Sequence, residues 1–438
     1  MHKSRQKKII QSRAGGSLKP QDPAMNEFNA IISQCKQSYL NLSLLNHQER
    51  CDIINEIAES LKQNSAQILT ANQKDLDSAQ AENTPPALLD RLALTSERLQ
   101  KMIGGMQKVI DLPDPLSHQQ SWNHPQGMTI TKVKAPIGVL LVVYEARPNV
   151  STDTVALALK TANACILKGS RQTRFTNESI AKATKQVLAQ SSAISEAIVF
   201  FPDLDHDRAS QLISCEHLDL IIPRGGEKLK KIVRSQAQAP ILGAGGGLCH
   251  LYVSENADLG MASEIIFNAK TQRPSVCNAL ESVLIHESHL QAEVIEELFL
   301  KSTQSGVKVY ADRRIKALSS EFEEIEQASW NTEYLDLRLS AKSVVSLNEA
   351  IEHINFYGTG HSDVIITEDE DEGKRFQQLV DSACVYVNAS SRFTDGEEFG
   401  FGAEIGISTQ KLHARGPIGP NDLTIYKYLI TGDGQVRA

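Results

Sequence analysis

Cys277 lies in the run Lys270-Thr271-Gln272-Arg273-Pro274-Ser275-Val276-Cys277-Asn278. A loop stiffened by Pro274 can present a thiol to a cleft, and cations such as Lys270 and Arg273 would favour its thiolate. A thiolate is a strong nucleophile toward acyl groups. The competing reading is a small buried hydrophobe. Asn149 stands in a second run, Tyr144-Glu145-Ala146-Arg147-Pro148-Asn149. Its amide could donate to a developing oxyanion, or the residue could simply occupy a turn after proline. Arg147 carries the planar fork that grips phosphate or carboxylate.

Two further loops suit a nucleotide. Lys168-Gly169-Ser170-Arg171 offers an ammonium and a guanidinium to a phosphorylated ribose. In Pro223-Arg224-Gly225-Gly226 the paired glycines let backbone approach a pyrophosphate. The stretch Gly243-Ala244-Gly245-Gly246-Gly247 is not a dinucleotide fingerprint, because a predicted strand follows it, not a helix. It reads as a hinge or a closely approached backbone. His250 reads as a core histidine before a catalyst. No Asp/Glu/His group has metal-ligand spacing, so no metal is expected.

Positioning these residues requires a particular frame. From 27 to 109 the apolar residues recur with helical period, as in Ile53, Ile54, Ile57, Ala58 and Leu61. Residues 129–133 alternate as a strand. The run 138–144 is continuously apolar and β-branched, as in a strand covered on both faces. A helix over 152–161, a strand over 164–167, a helix carrying Ile180, Val187 and Leu188, and strands over 197–201 and 218–222 follow. Strand–helix alternation of this kind specifies a parallel sheet with right-handed crossovers. The candidate loops at 144–149, 168–171 and 223–226 all leave carboxyl ends of its strands, where open α/β sheets bind ligands. A second alternation places strands near 249–253, 280–286, 307–310, 335–340, 363–366 and 383–387, with a helix over 257–269 ahead of Cys277. Glycines at 396, 400, 402 and 406 mark a loop region, and 423–429 reads as a last strand. The acidic run 368–372 reads as a solvated helix start.

With 438 residues the chain exceeds one ordinary core. A net charge of −8 argues against a nucleic-acid-coating protein, and no apolar run is long enough to span a membrane. Seven cysteines, an odd number without any Cys-x-x-Cys, fit a reduced cytoplasmic protein. Residues 1–25 are basic and carry Gly and Pro. They read as a disordered leader, with a targeting or interaction tail as the alternative.

Three strings carry a resemblance: 144–150, 222–226 and 268–278. Together, in order and spacing, they resemble the aldehyde dehydrogenase superfamily, specifically its γ-glutamyl phosphate reductase branch, from about residue 27 to the end. The resemblance implies an α/β fold of two parallel-sheet domains, a Rossmann-like cofactor domain and a catalytic domain, plus a small β oligomerisation flap. The implied boundaries are a cofactor domain over 26–248 with a flap strand at 128–134, and a catalytic cysteine domain over 249–395. Residues 396–438 would return to the cofactor domain and end in the oligomerisation strand. It also implies Cys277 and Asn149 as catalytic residues. Cofactor binding would fall to Lys168, Gly169, Ser170, Arg171, Pro223, Arg224, Gly225 and Gly226, and substrate binding to Arg147, Arg273 and Asn278. NAD-selective relatives carry a glutamate where this chain has Arg171, which attracts a 2′-phosphate, so NADPH is the implied cofactor. Oxidising relatives keep a water-activating glutamate where this chain has Gly243 or Ala244, as a reductive enzyme should. The implied reaction is reduction of γ-glutamyl phosphate to glutamate 5-semialdehyde through a thioester. The expected partners are that substrate, channelled from a glutamate kinase, and further copies of the chain in a homo-oligomer. The rival readings are an oxidising or CoA-acylating dehydrogenase and a catalytically silent nucleotide-binding module.

Overall fold

The computed structural model describes residues 23–243 and 245–437. Most of the expected leader therefore lies outside the described residues, but residues 23–25 open a helix. Pro23 begins α1 (Pro23–Leu42), and Met25 packs against the Cys215 sulfur at 3.5 Å.

Four more helices follow: α2 (His47–Gln63), α3 (Ser65–Ala81), α4 (Pro86–Leu92) and α5 (Ser96–Asp111). The start of α2 is fixed by a capping box, in which Asn46 Oδ1 accepts from the Glu49 amide (3.0 Å) and Glu49 Oε2 from the Asn46 amide (2.7 Å). Its Ile54, Ile57 and Leu61 are fully buried against Leu99 and Met106 of α5. That single apolar face, not helix propensity, holds each helix in place.

The strand pair β1 (Gln119–Asn123) and β2 (Thr129–Pro136) is antiparallel. Only β2 is foreseen by the alternation, since β1 is exposed at every residue and leaves no apolar pattern. The first parallel sheet is then wound from β3 (Val139–Tyr144), α6 (Pro148–Lys160), β4 (Ala164–Lys168), α7 (Arg174–Leu188), β5 (Ile198–Phe201), α8 (His206–Ile213), β6 (Leu220–Arg224) and α9 (Glu227–Gln236). Its strand order is β5-β4-β3-β6. Leu140, Val142 and Tyr144 of β3 face one core cluster, and Val139, Leu141 and Val143 face another. Both faces are covered, so the strand is apolar without alternation. Helix α6 begins at Pro148, four residues before the expected start, because proline at the first helical position is already set at a helical φ.

The second sheet has the order β10-β9-β11-β8-β7-β12-β13. It contains β7 (Cys249–Val253), α10 (Leu259–Thr271), β8 (Leu280–His286), α11 (Ala292–Gln304), β9 (Lys308–Ala311), α12 (Arg313–Lys316), β10 (Glu323–Glu324), β11 (Arg338–Val344), α13 (Leu347–Tyr357), β12 (Ser362–Ile366), α14 (Glu370–Leu379) and β13 (Cys384–Val387). Strand β11 starts at Arg338, not at 335. The Tyr334 and Leu335 amides instead donate to the Glu281 carboxylate (3.1 and 3.3 Å) and cannot join a ladder. The acidic run opens α14, whose N-cap Asp369 accepts from the Asp371 and Glu372 amides.

The tail forms β14 (Ile407–Ser408) and β15 (Gly416–Pro417), then β16 (Thr424–Thr431), which pairs antiparallel with β2 over its whole length. The chain is thus an α/β protein with two wound parallel sheets and a separate three-stranded antiparallel sheet, β1-β2-β16. No helix of the described residues is long and apolar enough to cross a membrane.

Candidate active site

The register of the first sheet decides which loops meet. Val143 pairs with Lys168 and Tyr144 with Arg224, so the three candidate loops leave one edge of the sheet side by side. Cys277 comes to the same place from the other direction, in a turn between α10 and β8 of the second sheet. It is the one cysteine of seven that is not classed as buried, being of intermediate exposure.

The turn is held from several sides. Arg91 of α4 donates to the Ser275 carbonyl (3.3 Å), the Cys249 thiol to the Cys277 carbonyl (3.3 Å), and Ser391 to the Asn278 carbonyl (2.7 Å). Gly247 lies directly against the Cys277 backbone, so the Gly243–Gly247 stretch serves close approach. Ala244 lies outside the described residues.

The charges around the thiol differ from those expected. Lys270 is fully buried and paired with Glu281 at 3.1 Å, so it is a structural ion pair and not a thiol activator. Burial pushes the Cys277 thiol up, Arg224 and then Arg147 pull it down, and Glu404 and Glu333 push it further up. Arg224 is expected at the cofactor; its guanidinium packs on Gly406 and also acts on the thiol. Arg147 is held below its usual range by burial and by the neighbouring Arg224, Arg91 and Arg273. Arg273 and Arg392 are also mutual neighbours. Arginines from five segments therefore converge here, which is a field for anions.

Asn149 stands in the first turn of α6, and its Nδ2 donates to Asp153 Oδ2 (3.2 Å), with no partner for its second hydrogen among the described residues. Asp153 is pushed up to about 7 by burial, with Arg224 and Glu404 as its charged neighbours. Asn278, expected at the substrate, gives Nδ2 to the carbonyls of Thr394 (2.8 Å) and Arg392 (3.3 Å). The glutamate expected to be missing near 243–244 does not leave the thiol without carboxylates. Glu333 accepts from the Gly247 amide (2.7 Å) and Glu404 from the Gly396 amide (2.9 Å).

The cofactor loops are mixed. Lys168 is lowered by burial, with Asp203 and Glu145 pulling it back up. Neither Lys168 nor exposed Arg171 has an ion-pair partner among the described residues, so both fit an added phosphate. Ser170 Oγ caps the Arg171–Thr173 turn, accepting from the Gln172 amide (3.2 Å). Gly169 is required by packing, since a β-carbon there would strike the Asn177 amide. Pro223 fits because β6 is an edge strand. At Gly225-Gly226 the place expected for pyrophosphate is taken by Glu145, whose Oε2 accepts from the Gly226 amide (2.8 Å).

Arg91, Asp153, Glu333, Arg392 and Glu404 were missed by sequence reasoning. They are scattered over the chain, and only Glu404 lay in a segment singled out at all, for its glycines. His250 is fully buried, with Nδ1 on Asp363 (3.2 Å) and no partner for Nε2 among the described residues. Among the described residues no group of His, Cys, Asp and Glu could hold a metal ion.

Two wound α/β sheets, with a thiol loop of one facing the ligand edge of the other, define a class of thiol-bearing nucleotide-binding enzymes. The aldehyde dehydrogenase family model matches residues 17–316. A protein of Francisella philomiragia called γ-glutamyl phosphate reductase is 44% identical over 92% of this chain and 97% of its own length. One of Geobacillus thermodenitrificans with the same name is 44% identical over 94% of this chain and 100% of its own. The crystal structure of γ-glutamyl phosphate reductase from Thermotoga maritima superposes with a TM-score of 0.91 at 39% identity, covering 94% of this chain and 100% of that one. The chain belongs to the aldehyde dehydrogenase family, among its γ-glutamyl phosphate reductases, and is an oxidoreductase of that family.

Proposed function

We propose that the protein catalyses the NADPH-dependent reduction of L-glutamate 5-phosphate to L-glutamate 5-semialdehyde and phosphate, the second step of proline biosynthesis. The observation that carries this reading is the Cys277 thiol, the one cysteine not fully buried, among converging arginines, in a chain whose relatives bear that enzyme's name.

In the proposed mechanism the Cys277 thiolate attacks the acyl carbon. The sulfur–carbon bond forms, the carbon–oxygen bond to phosphorus breaks, and phosphate departs toward Arg147 and Arg273. Asn149 Nδ2 and the Cys277 amide would hold the oxyanion, and Asn278 would contact the substrate. When bound, the nicotinamide supplies a hydride to the thioester carbonyl. The carbon–sulfur bond then breaks, returning the thiolate and releasing the aldehyde. Lys168, Ser170 and Arg171 would hold the phosphorylated ribose, next to Gly169. Pro223, Gly225 and Gly226 would line the pyrophosphate once Glu145 swings away, and Arg224 would serve the thiol as well as the cofactor edge.

We also assign 26–248 and 396–438 to the cofactor unit and 249–395 to the catalytic unit. The protein would act in the cytoplasm as a homo-oligomer, fed with acyl phosphate by a glutamate kinase. Exposed apolar residues along β16, Tyr428, Leu429 and Ile430, support assembly through that strand.

The test is the reverse reaction, with glutamate 5-semialdehyde and NADP⁺, followed as NADPH absorbance with and without phosphate. Phosphate-dependent turnover, abolished in Cys277→Ala with cofactor binding retained, is the expected result. Turnover without phosphate would instead indicate a hydrolytic dehydrogenase.

A further inference from the structure

The proposed substrate is an amino acid, and its α-ammonium group needs acceptors that the thioester chemistry does not use; the inference that follows rests on that reading. Asn278, next to the nucleophile, is 5% exposed. Both contacts of its Nδ2 are to carbonyl oxygens, of Thr394 and Arg392, which fixes the amide orientation. Oδ1 is left over, buried and without a donor among the described residues. A buried acceptor without a donor is rare in native proteins. This one is satisfied by a donor, a bound water or a donating ligand group, and not by a carboxylate.

A carboxylate stands by the same segment. Two residues beyond Thr394, the Gly396 amide donates to Glu404 Oε2 at 2.9 Å. Glu404 forms no ion pair among the described residues. Burial holds it above the usual carboxylate range; Arg224 opposes this from a distance and Asp395 adds to it. Its charge is felt at Cys277, yet it makes no hydrogen bond to the thiol. A half-buried carboxylate in no direct ion pair among the described residues and a buried amide oxygen without a donor there, both tied to the 394–396 segment beside the nucleophile, are acceptors with capacity for a cationic donor.

We propose that Glu404 and the Oδ1 of Asn278 receive the α-ammonium group of the amino-acid substrate. They are then the specificity-determining counterpart of the arginines, which take the anionic ends. A substrate without the amino group leaves both acceptors unsatisfied and is rejected on that ground.

The test uses L-glutamate and glutarate, which differ only in the amino group, as protectants of Cys277 against iodoacetamide in the full chain. In the wild type, glutamate is expected to protect at a concentration roughly 10- to 100-fold lower than glutarate. In Glu404→Gln the two should protect alike. A measurement on the wild type alone guards against misfolding of the variant: N-acetyl-L-glutamate, without the positive charge, should protect no better than glutarate. Equal protection by glutamate and glutarate in the wild type overturns the assignment, as does discrimination that persists in Glu404→Gln. Either result leaves the proposed reaction standing if the wild type still turns over the semialdehyde with phosphate. A wild type that shows neither turnover nor protection by either ligand overturns both.

Discussion

Gly247 runs so close beneath Cys277 that a β-carbon added to it would lie 2.5 Å from the Cys277 Cα. No ordinary side-chain carbon approaches backbone that closely, so alanine at this position must displace the nucleophile or break the Gly247–Glu333 hydrogen bond of 2.7 Å. Gly247→Ala should lower kcat by roughly 100-fold, the usual penalty for a misplacement near 1 Å. Cofactor affinity and the circular-dichroism spectrum should be unchanged, and steady-state kinetics with fluorescence titration of the cofactor checks this.

Arg224 is the leading group that draws the Cys277 thiol down against the effect of burial. Arg224→Gln should therefore move the pH profile of iodoacetamide alkylation to higher pH. At a fixed pH below the thiol's value, the rate should fall about tenfold for each unit of displacement. Lys270→Met should leave the midpoint of that profile in place, because Lys270 is bound to Glu281.

The Lys270–Glu281 pair lies wholly out of water, and Glu281 also anchors the Tyr334 and Leu335 amides. Lys270→Met leaves that carboxylate buried without its cation and should destabilise the fold by about 3–5 kcal/mol. Adding Glu281→Gln should recover part of the loss, since a neutral amide still accepts from the two backbone amides. Urea titration of the two variants measures the difference.

Asp153 gives a pH-dependent stability. Its folded value of about 7 lies above the unfolded value of 3.8. The protonated form is therefore favoured by folding, and its contribution is full below the unfolded value and lost as pH rises through about 7. Asp153→Asn mimics that form. It should match the wild type near pH 4 and exceed it at pH 8 by at most about 4 kcal/mol, and by less because the side chain keeps some exposure to water. Denaturation midpoints at the two pH values provide the check.

Arg171 is exposed and unpaired among the described residues, beside partly buried Lys168. Arg171→Glu should reduce the preference for NADP⁺ over NAD⁺ by about 10- to 100-fold, as a carboxylate repels a 2′-phosphate. The ratio of kcat/KM values for the two cofactors reads this directly.

Much of the frame was legible in the chain itself. The unbroken apolar run of β3, the alternation of strands and helices, and the loops at carboxyl strand ends follow from local periodicity, because a strand covered on both faces must be apolar throughout. The run around Cys277 and the basic residues at 147, 168, 171 and 224 were visible as residue types in sequence. What those residues do to one another was not. Lys270, seven residues before Cys277, points into the core toward Glu281, whereas Arg224, more than fifty residues away, acts on the thiol. Arg91 reaches the cysteine loop from a helix near the start of the chain, and Glu404 from a loop near its end. Electrostatic influence falls with distance in space, and separation along the chain says little about it. The sequence determined which elements form and which residue types stand at their ends; only the packing of the two sheets decided which charges share the low-dielectric space around Cys277.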